Sequence, residues 1–199
     1  MAIEAVVACA ESEQAISRMD GFEARLRALF PAIGMLHPEG GSGDVSLAHV
    51  LQTAALALQA QAGCPVTFAR TTATIDPGVY QVVVEYSEEA VGRQAFEDAQ
   101  RLINAALGQG DFDAEAAIAN LRELDEDERL GPSTGAIVDA AVARDIPFRR
   151  LTRGSLVQFG WGSRQRRIQA AEIDSTSAVA ESIGQDKDLT KRLLHAAGV

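Results

Sequence analysis

The segment from residue 65 to residue 86 reads PVTFARTTATIDPGVYQVVVEY, and it decides how we expect the first part of the chain to fold. Residues 65–74 alternate between apolar and polar side chains, which is typical of a half-buried β-strand. Residues 79–86 are rich in valine and carry the strongest strand pattern in the chain. Asp76-Pro77-Gly78 between them is a turn signal. The segment therefore predicts a β-hairpin.

The flanking segments place this hairpin in a larger fold. Residues 3–10 are β-branched and apolar and predict another strand, whereas residues 21–30, 46–62, 88–107 and 114–124 predict helices. Ser46 is a suitable N-cap for the second helix, and Gly63 ends it. The resulting order, β-α-α-β-β-α-α, predicts an α+β fold in which an antiparallel sheet carries helices on one face. Residues 34–45, rich in glycine, predict a loop.

A smaller unit follows this fold. Residues 134–144 predict a helix capped by Ser133 or Thr134, and residues 146–151, 156–159 and 167–171 predict short strands. Two helices, over 177–183 and 186–197, are expected to complete the chain. The pattern indicates a small α/β segment that is too short to bury a large core.

The distribution of charge supports a boundary near Leu130. Residues 1–130 contain 8 Arg, no Lys and 21 Asp or Glu, a net charge of −13, whereas residues 131–199 contain 10 Lys or Arg and 7 Asp or Glu, a net charge of +3. We therefore predict two domains, 1–130 and 131–199. The acidic surface of the first domain suits cationic partners, although solubility alone also explains it.

The bulk composition excludes several classes of protein. An apolar content of 47% is ordinary for a globular protein, and the net charge of −10 argues against a general binder of nucleic acid or of anionic membranes. The sequence has no apolar run of 18 residues and no basic signal-peptide start, so no membrane helix or leader is expected. Cys9 and Cys64 lie in apolar settings, which predicts buried free thiols in a reducing, cytoplasmic compartment.

Several longer motifs resemble one enzyme family. Residues 62–71 read AGCPVTFART and residues 77–86 read PGVYQVVVEY; residues 131–134 read GPST, 146–151 read IPFRRL and 155–169 read SLVQFGWGSRQRRIQ. Together they resemble the cyanophycin synthetases, and more specifically a proteobacterial type of that family. Residues 186–199, which open with Asp-Lys and close with Ala-Gly-Val, are similar to the beginning of an ATP-grasp fold. Some bifunctional glutathione synthetases share a related segment, but residues 62–86 favour the cyanophycin synthetases.

The resemblance implies a function for a larger, homo-oligomeric ligase. That family makes cyanophycin, a storage polymer with a poly-aspartate backbone that carries arginine on its side-chain carboxylates. Its ATP-grasp part uses ATP and Mg²⁺ to add aspartate, and a later part similar to Mur ligases adds arginine. The resemblance implies that Lys187 contacts ATP phosphates; the alternative is a solvated helix lysine. Because most of the catalytic apparatus would lie beyond Val199, we expect no catalytic residues and no ligase turnover in these 199 residues.

Residues 49–53 are relevant to a second activity, a metallopeptidase, that the resemblance implies for some members of the family. Some members of the family carry a metallopeptidase motif, His-x-x-Glu-His, on the helix before the hairpin. Here the segment reads His49-Val50-Leu51-Gln52-Thr53. Gln52 cannot act as a general base and Thr53 is a poor zinc ligand. We predict no metal and no peptidase activity; the alternative is a divergent hydrolase that uses His49 with other ligands.

Polymer binding is the function that the resemblance leaves for the first domain. Candidate acidic residues are Glu85, Glu88 and Glu89 after the main strand, together with residues 125–128. Arg164 and Arg166, beside the glycine turn at 160–163, are candidates for carboxylate or phosphate contacts, because Arg forks match such groups. Solvated charges explain both sets equally simply. A purely structural role, in packing or oligomerisation, is the third hypothesis.

Overall fold

The computed structural model describes residues 1–37, 44–170 and 172–198 and divides the chain into two compact units, Met1–Glu128 and Arg129–Val199. The division lies next to the change of charge at Leu130. Part of the predicted loop over 34–45 lies outside the described residues. The functions assigned to the two parts of the chain stay predictions.

The first unit has the predicted α+β class and order of elements. Its sheet has three strands in the order β1-β3-β2, both pairs antiparallel. Three-residue 3₁₀ turns connect some elements. The strands and helices are β1 (Ala2–Ala8), α1 (Phe22–Leu29), α2 (Leu47–Ala62), β2 (Ala69–Ala73), β3 (Val79–Glu85), α3 (Glu89–Ala106) and α4 (Ala114–Glu128).

The hairpin forms the centre and one edge of this sheet. β3 is the central strand, and Val82 and Val84 on its inner face are almost fully buried. The turn before it requires a glycine, since Gly78 has φ of 76° and a Cβ there would lie 2.8 Å from the carbonyl oxygen of Cys9. The backbone N–H of Cys9 donates to the carbonyl of Gly78 at 2.8 Å, which ties the end of β1 to the turn.

Helices α2 and α3 cover one face of the sheet, and α1 and α4 pack against them. As predicted, α2 follows Ser46 and ends at Gly63, which has φ of 100°. Each large side chain that is fully buried here stabilises the unit by about 1.5–3 kcal/mol. The largest apolar ones are Phe22, Leu26, Phe30, Ile33, Val50, Leu58, Val82, Val91, Leu102 and Leu121.

The second unit contains an antiparallel sheet with strand order β4-β5-β6-β7. Its buried apolar core consists of Val138, Val157 and Ile168, against which Leu130 and Phe159 pack, so this core is small, as predicted. The elements are α5 (Pro132–Val142), β4 (Phe148–Arg150), β5 (Leu156–Phe159), β6 (Arg166–Gln169), β7 (Glu172–Ile173), α6 (Ala178–Gln185) and α7 (Lys187–Ala196).

Several predicted boundaries differ from the structure, and α4 in particular continues to Glu128 instead of ending at 124. Ser133 and Thr134 do not cap α5; the helix begins at Pro132 after Gly131, because proline suits the first helical turn and its missing N–H would be unsatisfied there anyway. The strand predicted over 65–74 begins only at Ala69. The strand predicted over 167–171 ends at Gln169, with residue 171 outside the described residues, and the two-residue strand β7 was not predicted.

Two further expectations concern the cysteines and the membrane. Cys9 and Cys64 are free and buried, as predicted, and burial raises the pKa of both thiols. Among the described residues, no helix combines the length and the apolar character that crossing a bilayer requires.

Candidate functional site

The degenerate motif on α2 forms a neutral hydrogen-bond network. The backbone N–H of Ser46 donates to Nδ1 of His49 at 3.3 Å, and the Ser46 hydroxyl lies 2.8 Å from the same nitrogen. Nδ1 is therefore the acceptor, which leaves the proton of the neutral ring on Nε2. The ring also packs edge-on against Tyr80 of β3, with centroids 5.7 Å apart. Burial lowers the pKa of His49 below its usual value, so the ring is neutral at pH 7.

The other two motif positions are also engaged within the fold. The hydroxyl of Thr71, on β2, donates to Oε1 of Gln52 at 2.7 Å. Thr53 donates back to the carbonyl of His49 at 2.9 Å along the helix. Within the ranges that the structure describes, no group of three or more His, Cys, Asp or Glu is arranged to hold a metal ion. The network therefore offers neither a metal-binding set nor a general base beside His49.

Glu85 has a structural partner for one of its carboxylate oxygens. Oε2 accepts the backbone N–H of Thr67 at 2.7 Å and that of Phe68 at 2.8 Å. These hydrogen bonds hold the pKa of Glu85 below its usual value, so the carboxylate is ionised. The bond from Phe68 also helps to explain why β2 begins at Ala69, because that N–H binds a side chain instead of the backbone carbonyl of Glu85, which accepts from Gln59.

The other acidic candidates lie around the loop between β3 and α3. Glu88 occupies the N-cap position of α3, and exposed Glu89 pairs with Arg93 one turn later at 2.7 Å. From α4, Asp125 reaches the same loop, where it accepts the hydroxyl of Ser87 at 3.4 Å. The structure thus brings Asp125, one member of the acidic group at 125–128, to the loop that carries the other group, although α3 separates them in the sequence. Both groups are recognisable in the sequence, but no sequence signal indicates this contact.

The second unit contains a cationic cavity at the start of α7. Lys187 is the first residue of that helix, which Asp186 caps by accepting the N–H groups of residues 188 and 189 at 3.0 and 2.9 Å. The cavity has a volume of about 440 Å³, and its lining includes Thr190, Lys191 and His195 beside Lys187. Lys187 is the residue predicted from the sequence; the other polar residues lie about one turn apart on the same helix, a spacing that could have identified them.

The two arginine candidates occupy different environments. Arg164 ends a short 3₁₀ turn between β5 and β6. Arg166 begins β6, is paired with Phe159 of β5, and donates to the carbonyl of its neighbour Gln165 at 3.1 Å. Both are exposed.

Comparisons with known proteins agree with the resemblance seen in the motifs. Residues 5–108 match the family model described as the cyanophycin synthase-like N-terminal domain. The chain is 41% identical over 156 residues to the cyanophycin synthetases of Trichormus variabilis and of a Nostoc species, and 38% identical to that of Geminocystis herdmanii. Each alignment covers 77% of this chain. The chain spans 17% of the length of the first two relatives and 18% of the third.

Proposed function

This chain belongs to the family of cyanophycin synthase-like N-terminal domains, and we propose that its first unit holds the cyanophycin polymer for an ATP-dependent ligase that elongates it. The observation that carries this proposal is the group of acids around the β3–α3 loop: Glu85, Glu88, Glu89 and Asp125. They lie in a unit with a strong excess of negative charge. Such a surface attracts the guanidinium groups of an arginine-bearing polymer.

The geometry around Glu85 suits this role. Two backbone N–H groups orient its carboxylate and keep it ionised, so little conformational freedom is lost when a guanidinium binds. Glu89 is exposed, and a polymer guanidinium would compete there with Arg93. Contacts of this kind are individually weak and are screened by salt. The proposed site would therefore retain the polymer loosely through several contacts.

The residues around Lys187 fit a nucleotide in part. Its ammonium group and that of Lys191 supply donors for phosphate oxygens, as does the hydroxyl of Thr190. None of the described residues that line this cavity is a carboxylate, so the lining supplies no good Mg²⁺ ligand. We propose that these lysines orient the ATP phosphates, while ATP itself supplies the phosphoryl group that activates a carboxylate for amide formation.

A binding experiment tests the polymer-holding role. The purified chain is titrated with soluble cyanophycin in low salt and near 1 M salt, where the Debye length is only about 3 Å. We expect binding in low salt that weakens in high salt. Neutralising the three loop glutamates should weaken the affinity for cyanophycin about tenfold, the sum of three solvent-screened charge contacts. The variant is Glu85→Gln with Glu88→Gln and Glu89→Gln.

A matched control removes the same charge elsewhere in the unit. It replaces three exposed glutamates of α3 and α4 by glutamine, namely Glu97, Glu115 and Glu123. Equal losses of cyanophycin affinity in both triple variants would show that net charge alone explains the effect. Absence of binding in low salt would contradict the proposal outright. Retention of full affinity by the loop variant would favour a purely structural role for these acids.

A further inference from the structure

The register of the second sheet aligns two arginines in one row across three strands. Arg149 of β4 is paired with Gln158 of β5, and Gln158 is paired with Arg167 of β6. Next along the strands, Val157 and Ile168 are buried in the core of the unit. Because successive residues of a strand point to opposite faces, the row of Arg149, Gln158 and Arg167 lies on the face opposite that core.

Both guanidinium groups of this row are accessible. Arg149 and Arg167 are exposed, and neither forms an ion pair with a carboxylate among the described residues. Asp174, just after β7, donates its backbone N–H to the carbonyl of Arg167 at 3.0 Å, yet its carboxylate does not pair with the guanidinium. Two strand spacings separate the two arginine backbones, which places them about 10 Å apart.

We infer that the row binds neighbouring carboxylates of an extended polycarboxylate peptide. Side chains on one side of an extended chain recur about every 7 Å, a separation that two long arginine side chains about 10 Å apart can span. Each guanidinium presents a planar fork of donors that matches a carboxylate. This function goes beyond the proposed acidic site, because it lies in the other unit and recognises the opposite charge.

The chain provides a closely matched pair of variants for a test. Arg149→Gln with Arg167→Gln removes the row, whereas Arg144→Gln with Arg192→Gln removes the same charge from two exposed positions elsewhere in the unit, one just after α5 and one on α7. The probe is a poly-aspartate oligomer, titrated into the full chain in low salt. We expect the row variant to bind about tenfold more weakly, the sum of two exposed Arg–carboxylate contacts, and the other variant to change by less than about twofold.

A third variant, and ATP as a second probe, make the test more specific. Asp174→Asn should tighten poly-aspartate binding by about twofold, because it removes a repelling charge beside Arg167. Equal losses in both double variants, or no binding of poly-aspartate by the wild-type chain, would overturn the inference. So would a row variant that loses ATP binding but keeps poly-aspartate binding, since the row would then be a phosphate site.

The outcome is independent of the acidic site. The triple variant of the loop glutamates should bind poly-aspartate at least as well as the wild-type chain does. Failure of cyanophycin binding alone would count against the acidic site and leave the arginine row standing. Circular dichroism and the fluorescence of Trp161, the single tryptophan of the chain, verify that each arginine variant keeps its second unit folded.

Discussion

Replacing Arg101 by alanine should destabilise the first unit far more than the loss of an ordinary surface charge. Asp98 in the middle of α3 is completely buried, and its Oδ1 accepts hydrogen bonds from Arg101 and, at 3.1 Å, from Gln94. Its Oδ2 is buried without a hydrogen-bond partner among the described residues. The guanidinium of Arg101 is therefore the main group that stabilises the buried carboxylate of Asp98.

The magnitude follows from the burial of the two partners. Breaking a buried ion pair by removing one partner typically costs about 3–5 kcal/mol. The Arg101 side chain is 62% exposed, so its removal admits some water, and we expect a loss of about 3 kcal/mol, at the lower end of that range. In a unit of this size the loss corresponds to a decrease in Tm of roughly 10 °C.

The matched control lies on the same helix. Arg93 pairs with Glu89 one turn earlier, with side chains 68% and 59% exposed, so Arg93→Ala should cost at most about 0.5 kcal/mol. Adding Asp98→Asn to Arg101→Ala should recover part of the loss, because it removes the buried charge. Stability is measured by urea unfolding of the full chain, followed in the near-ultraviolet circular dichroism of tyrosine, since both tyrosines belong to the first unit. Equal losses for Arg101→Ala and Arg93→Ala would refute this reasoning.

Three further predictions follow from individual contacts. Gly92→Ala should destabilise by about 1–3 kcal/mol, because a Cβ there would lie 2.6 Å from Cβ of Tyr86. Gly135→Ala on α5 should instead stabilise by up to about 1 kcal/mol, because a Cβ there would make only an ordinary contact with the carbonyl oxygen of Leu130 at 3.8 Å. Thermal melts that show the same sign for both variants would contradict this contrast. The pKa of Glu85 is depressed in the folded state, so its stabilising effect is present above the usual glutamate pKa and is lost as the pH falls below it. Urea unfolding at pH 7 should accordingly give the wild type a higher free energy of unfolding than Glu85→Gln, and this difference should disappear in acid. A difference that increases in acid would show the opposite linkage. Metal analysis of the purified chain should find zinc well below one equivalent, and one zinc per chain that disappears with His49→Ala would disprove the neutral network on α2.

Much of the fold could be predicted because its elements have local causes. The valine-rich strand, the turn at Gly78 and the limits of α2 depend on side-chain alternation, on a residue free to adopt positive φ and on capping groups. Each of these signals lies within a few residues of its effect. The predicted start of β2 was too early, because Glu85, distant in the sequence, binds the N–H of Phe68 that a longer strand would have used.

The candidate sites could be predicted only in part. The sequence shows that the position of Gln52 offers no general base, since an amide cannot act as one. The partner of that amide, Thr71, belongs to another element and becomes adjacent only when the hairpin packs on α2. Arg164 and Arg166 are neighbours in the sequence and stay candidates, whereas the alignment of Arg149 with Arg167 depends on cross-strand register and could not be seen in the sequence.

Residue type and short-range spacing were sufficient to predict the α+β class, the order of the elements and the separation of charge between the two parts of the chain. Tertiary packing was needed to show that β3 lies between β1 and β2, that Asp125 reaches the loop before α3, and which arginines share one face of a sheet. These features depend on strand register and on packing between distant segments, which the periodicity of a single element does not determine.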